Sequence, residues 1–379
     1  MSGANADEIT IAVDPDVHLR QDEYDPRDWN SDTTSIGSSI YRGIMENGRR
    51  YQSLKEDEYA FPADEQQFDT YDAVHLAAMV GDSQEENPLF HAPIEPKNVL
   101  DIGTGKGSWA VDVADMFPEA WVRGVDLFPP PVTWLPPNCV LEVDDVTQDW
   151  TWSQKFDLIH LRILACAFTP EETVQIMKKC YDNLQPGGWI EQFEIHPNVY
   201  CDDASIAEDN VLYDIGPRCD AAANKSGKRM DLVKTIRDSI EKAGFVDVHE
   251  KATKWPIGPW PREKAKKELG SINLHHWLTG IEGYTMFLMT KFGDPEPWTQ
   301  EEVRVYNAQM RKALLNPHHH PYQRTRRVWA RKPFPEEVKA RDEKEKEKQE
   351  KLKEAEAAAA AAAAVPVKQE SPEIKKEKE

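Results

Sequence analysis

The stretch Asn98-Val-Leu-Asp-Ile-Gly-Thr-Gly-Lys-Gly107 decides the fold of this chain. Val99, Leu100 and Ile102 read as a short buried strand, glycine then takes every second position, and a helix-like run from Ser108 to Phe117 follows. Glycine lets a backbone bend sharply and approach a ligand with no side chain in the way. A strand, a glycine turn and a helix N-terminus together build a ligand crevice at the carboxyl edge of a parallel sheet.

Three nucleotide-like ligands compete for such a turn. A P-loop needs four spacer residues between two glycines, then a lysine followed by Ser or Thr, and no such string occurs here. A dinucleotide fingerprint wants glycines at 103, 105 and 108, but position 108 is serine and the third glycine is Gly107. The spacing of Asp101, Gly103, Gly105 and Gly107 resembles motif I of class I S-adenosylmethionine-dependent methyltransferases. That cofactor has no phosphate and carries an ammonium and a sulfonium, so an acidic strand end suits it. The plainer alternative is a tight strand-to-helix turn with no ligand.

From 98 to 195 the pattern alternates strand and helix, which predicts a parallel sheet with helices on both faces. Trp121–Asp126, Val140–Asp145, Phe156–Leu161 and Trp189–Ile195 read as further strands, and Pro170–Leu184 as a helix stopped by Pro186-Gly-Gly188. Asp126, 19 residues after Gly107, and Asp145 each fall at a strand's carboxyl end. Such folds place their ligand contacts there. A helix from Met230 to Ala243 ends at Gly244, Phe245–Lys254 reads as a strand, and 262–290 is helical and aromatic. Thr299 with Glu302 opens another helix as a capping box, and Tyr322–Arg331 forms a last strand.

The organisation that follows is an acidic disordered arm over 1–37, one domain over 38–334, and a disordered charged and polyalanine tail over 335–379. Within the domain, 38–97 reads as N-terminal lid helices, 98–255 as the cofactor-binding core, 256–320 as a helical insertion capping the substrate, and 321–334 as the last strand. The net charge is −21, from 46 basic and 67 acidic residues, which argues against a general electrostatic grip on nucleic acid or an anionic membrane. No apolar run has the length of a membrane span, and neither a secretory signal nor an Arg-rich transit peptide is read at the N-terminus. Five scattered cysteines, with no Cys-x-x-Cys pair, suit a reducing compartment. These features point to a soluble intracellular chain.

More narrowly, the chain resembles the fungal LaeA-like methyltransferases. The resemblance is carried in order by Glu46-Asn-Gly-Arg-Arg-Tyr51, Val99–Gly105, Glu142-Val-Asp-Asp145, Pro186-Gly-Gly-Trp-Ile-Glu191, Ala243–Val248 and Pro256-Ile-Gly-Pro-Trp-Pro261. It implies a Rossmann-like, mostly parallel seven-stranded sheet and S-adenosylmethionine as cofactor. The glycines would admit the methionyl part, Asp101 would help hold its ammonium, and Asp126 would accept from the ribose hydroxyls. Asp145 would accept from the adenine amine, with the Val146 amide donating to the ring. The resemblance also implies a regulator of secondary metabolism and development, nuclear or nucleocytoplasmic, binding a velvet-domain or other regulatory protein. Lys106 departs from the family pattern, as does Phe128-Pro-Pro-Pro131 after Asp126.

For the transfer step, His160 ranks first as base, with Arg162, Glu191, Glu194 and His196 as further candidates near the strand ends. For each of these, a structural hydrogen bond is the competing reading. His275-His276 and His318–His320 lack a spaced carboxylate or cysteine partner, so surface or helix-face histidines are expected there and no metal. Val367-Lys368-Gln-Glu370 and Ile374-Lys375-Lys-Glu377 match the short hydrophobic-Lys-x-Glu pattern for SUMO attachment, a pattern frequent in any Lys/Glu tail. A methyl acceptor that is a protein or a small metabolite is the leading expectation. The competing one is a methyltransferase-fold scaffold that binds a regulatory protein with little turnover.

Overall fold

The computed structural model describes residues 38–132 and 134–363, so the expectations for the 1–37 arm and for the Lys368 and Lys375 patterns lie outside the described residues. After a short helix α1 (Ser38–Arg42), strands β1 (Ile44–Glu46) and β2 (Arg49–Tyr51) form an antiparallel hairpin. Its turn is Asn47-Gly48, both at positive φ (52° and 79°), the geometry a two-residue hairpin turn needs. This corrects the expectation of lid helices alone over 38–97. Helix α2 (Glu65–Gly81) follows, its first turn capped by the Asp64 side chain accepting from the Gln67 amide.

The core runs β3 (Asn98–Ile102), α3 (Ser108–Met116), β4 (Trp121–Asp126), β5 (Cys139–Val143), β6 (Phe156–Arg162), α4 (Pro170–Asn183) and β7 (Leu184–Ile195). Then come α5 (Ile215–Lys225), α6 (Ile236–Lys242), β8 (Val246–Pro256), α7 (Lys264–Phe292), α8 (Gln300–Leu314), β9 (Tyr322–Arg331) and α9 (Pro335–Ala363). Seven strands join in the order β5-β4-β3-β6-β7-β9-β8, all parallel except β9, which pairs antiparallel with β7 and β8. This is the expected Rossmann-like architecture, with α7 and α8 between the last two strands. The Thr299–Glu302 capping box is present.

Alternation along the strands splits the core into two layers. Leu100, Ile102, Ile159, Leu161 and Ile190 face α4 and α6, while Val99, Leu158 and Trp189 face α3. A third cluster joins α5, α7 and α8 to Tyr51 and Phe61, which precede α2.

Two further expectations change. The helix expected from Met230 forms only from Ile236, because the Leu232 carbonyl first closes a turn with the Thr235 amide. The tail, expected as disordered or partly helical, forms a single helix over Pro335–Ala363. Its Lys, Glu and Ala are strong helix formers, and Arg331 anchors its first turn by bonding both Glu337 oxygens at 2.8 Å.

Candidate functional site

The glycine turn is held from behind by its own neighbours. The Gly103 and Thr104 amides both donate to the Val125 carbonyl (2.9 and 3.0 Å), so the turn hangs on β4. The Gly105 amide donates to Asp126 Oδ2 at 2.8 Å. Gly103 has φ +71°, and a Cβ there would lie 2.5 Å from Leu164 Cδ2. Gly107 has φ +90°, and a Cβ there would lie 2.5 Å from Leu141 Cδ1. Any larger residue at either position is strained and collides.

Two cavities open along this turn. One, of about 500 Å³, is lined by Lys55, Leu127, Asp145, Val146 and Phe168 among others; the second, of about 470 Å³, by Tyr71, Thr104, Gly105, Arg162 and Ile163. Tyr59, Gly103, Asp126 and Leu164 line both, so the two form one crevice along the carboxyl ends of β3, β4 and β6. Burial raises the Asp126 carboxyl above its ordinary range, opposed by the Gly105 and Phe128 amides. For Asp145, burial also works upward, but the Thr147 hydroxyl and amide, with Lys55, outweigh it and hold the carboxyl below its usual value. Lys55 lies 3.4 Å from Asp145 and 3.5 Å from Glu172, tying the segment before α2 across the crevice mouth. Arg162 presents a half-buried guanidinium, its pKa pushed down to about 10 by desolvation, and Nη1 bonds His75 Nδ1 at 3.0 Å. The crevice thus offers acidic acceptors at one end, a guanidinium at the other and glycine backbone between them. That set fits an amino-acid carboxylate joined to a hydroxyl- and amine-bearing nucleoside.

Lys106 turns away from the crevice. Its ammonium bonds Asp72 of α2 at 2.6 Å, which neutralises the cation that looked out of place beside a cationic ligand.

Asp101 lines neither cavity. Its Oδ2 accepts from the Thr104 hydroxyl (2.7 Å) and its Oδ1 contacts His160 Nδ1 (2.8 Å), so it braces the turn from inside the sheet. His160, expected as a base, is corrected for the same reason. Register pairs Asp101 with His160 and His160 with Glu191, all on the sheet face that α3 covers. The His160 ring is 0% exposed, stacked on Trp109 with centroids 3.7 Å apart, and burial lowers its pKa. It cannot reach a ligand at the strand ends. Glu191 is likewise internal, bonded to the His91 and Ala92 amides and to Arg327.

A third cavity of about 570 Å³ lies beyond Ile163, lined by Phe61, His196, Cys219, Met230, His276, Tyr284 and neighbours. His276, expected at a surface or on a helix face, lies on α7 and is buried because α7 packs against α2 and α5. Burial pushes its pKa down to about 3, so it is neutral. The Asn273 amide donates to the Pro256 carbonyl, so its Oδ1 accepts from His276 Nδ1, leaving Nε2 to take the Tyr284 hydroxyl at 2.6 Å. His196 accepts the Asn198 amide at Nδ1 (3.1 Å) and faces Asp231 through Nε2 (3.2 Å). Sequence reasoning missed this chamber because its walls come from seven separate segments. A buried apolar stripe on 262–290 interrupted by His276 and Tyr284 was the available signal.

Among the described residues, Asp82, Glu85 and His91 are a group close enough to share a metal ion. Lys251 already bonds both carboxylates (2.8 and 2.7 Å) and Arg327 bonds Asp82 (2.8 Å), so cations of the protein occupy that role.

A glycine crevice of this donor set on a seven-stranded sheet with an antiparallel last strand defines a class I S-adenosylmethionine-dependent methyltransferase. Residues 99–188 match the methyltransferase domain family. The chain is 33% identical over 313 residues to the methyltransferase pytC of Aspergillus terreus, covering 81% of this chain and 94% of that one. A secondary metabolism regulator of Cochliobolus heterostrophus is 31% identical over 298 residues (76% of this chain, 94% of that one). The protein-methionine methyltransferase laeA of Emericella nidulans is 28% identical over 325 residues (81% and 83%). The chain belongs to the LaeA-like methyltransferase family. Among the described residues, no helix is long and apolar enough to cross a membrane.

Proposed function

We propose that this chain is a regulator of secondary metabolism that methylates an uncharged acceptor, and that the acceptor is a methionine thioether of a partner protein. The cofactor's methionyl carboxylate would lie toward Arg162, its ribose at Asp126, and its adenine between Asp145 and Val146 against Phe168. Gly103 and Gly105 admit it by offering no side chain, and Asp101 sets the turn. When bound, S-adenosylmethionine supplies an electrophilic methyl on a sulfonium.

What remains for the protein is to position the acceptor and, where the acceptor carries a proton, to take it. The observation that carries the acceptor reading is the chamber's chemistry. No Lys, Arg, Asp or Glu lines it, Cys219 is held as a thiol by burial, and both nitrogens of His196 and of His276 are already engaged. An acceptor with no proton to lose suits such a wall, and a thioether is one. The name of the laeA relative, a protein-methionine methyltransferase, supports the same class. A nuclear location and a velvet-domain partner complete the reading, on family grounds.

The test is transfer of a labelled methyl from the cofactor to proteins in extracts of cells lacking this chain. Label mapping to methionine sulfur by mass spectrometry is expected. Label on a nitrogen, or on a small molecule alone, overturns the acceptor class. Cofactor binding without any transfer favours the scaffold reading instead.

A further inference from the structure

Between the crevice and the chamber the chain builds a thin partition from two segments. In the first, Tyr59 lines the crevice and Phe61 the chamber; in the second, Leu164 lines the crevice, Ala165 the chamber, and Ile163 both. Ile163 has φ +54° and Cys166 φ +59°. A β-branched residue in the left-handed region is a true outlier, since its Cβ crowds the backbone. Four hydrogen bonds enforce it. The Ile163 amide donates to the Phe193 carbonyl (2.9 Å), Leu164 to Glu194 Oε1 (3.1 Å), Cys166 to the Arg229 carbonyl (2.8 Å), and Ala167 to the Leu164 carbonyl (3.0 Å). Strain so over-determined concentrates at sites where a side chain must be aimed. Here it aims an isoleucine at the junction of two cavities that otherwise share no residue.

Resting on the reading that the crevice holds S-adenosylmethionine, we propose that Ile163 is the gate between donor and acceptor. Its side chain fixes the size of the group that can stand on the sulfonium facing the chamber. It thereby selects methyl over larger alkyl donors and sets how closely an acceptor approaches. Leu164 cannot fill this role, because it packs over Gly103 on the crevice side only.

The test needs no acceptor. Calorimetric binding is measured for wild type, Ile163→Ala, Ile163→Gly and Phe61→Ala, using S-adenosylmethionine, S-adenosylhomocysteine and the analogue carrying S-allyl in place of S-methyl. Wild type is expected to bind the allyl analogue at least tenfold more weakly than S-adenosylmethionine. Ile163→Ala and Ile163→Gly should bring the two within threefold, while Phe61→Ala, on the chamber side only, keeps the wild-type ratio. Ile163→Gly also relieves the positive φ, so its melting temperature should match or exceed that of Ile163→Ala. An unchanged ratio in both Ile163 variants, equal binding by wild type, or equal relaxation by Phe61→Ala would each overturn the gate. Absence of wild-type binding to S-adenosylmethionine and S-adenosylhomocysteine would instead sink the reading on which it rests.

Discussion

The crevice and the chamber sit side by side, yet they are built in opposite ways. The crevice comes mainly from successive strand ends: Ile102 to Gly105 at the end of β3, Asp126 closing β4, Asp145 and Val146 after β5, Arg162 to Leu164 at the end of β6. The chamber is assembled from Phe61 before α2, His196 after β7, Cys219 on α5, and His276 and Tyr284 on α7. The first carries Lys55, Asp126, Asp144, Asp145 and Arg162 among apolar neighbours, and the second is lined by no Asp, Glu, Lys or Arg. A parallel sheet delivers the donor site through its topology, whereas the acceptor site depends on what the appended helices carry.

That contrast breaks most readily at Asp126. Its carboxylate anchors the Gly105 amide at 2.8 Å and faces the crevice. Asp126→Ala frees a backbone donor and removes an acceptor for the ligand, together a loss of about 3 kcal/mol, or roughly hundredfold in Kd. Isothermal titration with S-adenosylhomocysteine measures it. A change under fivefold would mean that the donor site is not centred on β4.

The same contrast explains what was legible in the sequence. Gly103, Gly105, Asp126 and Asp145, which line the crevice, were readable because each lies at a fixed offset from a strand, and strands announce themselves by their apolar runs; Gly107 shared that offset but packs against Leu141. His160 misled because it too is near a strand end. Counting by twos from Leu158 places it on the same face as Leu158, under α3, and pairing with Asp101 then buries it. The Asn47-Gly48 pair is a hairpin-turn signal that the reading of 38–97 as lid helices does not use. His276 and Tyr284 left only an interrupted apolar stripe in the sequence, since α7 meets α2, α5 and β8 only in three dimensions.

Glu194 sharpens the comparison, because it serves the partition from the sheet side. Its Oε1 accepts from the Leu164 amide (3.1 Å) and from Gln192 Nε2 (2.8 Å), and burial pushes its pKa from 4.5 up to about 7. Between those values the native state keeps a proton that the unfolded chain has released. This contribution to stability is therefore fully present below about pH 4.5 and is lost as pH rises toward 7. His276 and His160, with lowered pKa values, act in the opposite direction, so the wild-type curve mixes both signs. The difference between wild type and Glu194→Gln isolates the carboxyl. Glu194→Gln should gain stability relative to wild type as pH goes from 5 to 8, by about 2 kcal/mol, which melting curves at matched pH would resolve. A flat difference would remove Glu194 from the partition's support.

The smallest effect concerns the other segment of the partition. Residues 52–63 run from β2 to α2 and place Tyr59 on the crevice side and Phe61 on the chamber side, so anything that loosens them should be felt at the donor site. Lys55 fastens this segment through Asp145 and Glu172 at 3.4 and 3.5 Å, with its side chain 13% exposed. Lys55→Met keeps the aliphatic stem and removes the charge. A partly buried pair of this kind contributes about 0.7 kcal/mol, so the dissociation rate of S-adenosylhomocysteine should rise roughly threefold. Stopped-flow displacement measures that rate directly. The same substitution also relieves Asp145 of its counter-charge, which would tighten an adenine contact and slow release. A slower rate would therefore show that Lys55 competes with the ligand for Asp145, and a faster one that it holds the segment shut.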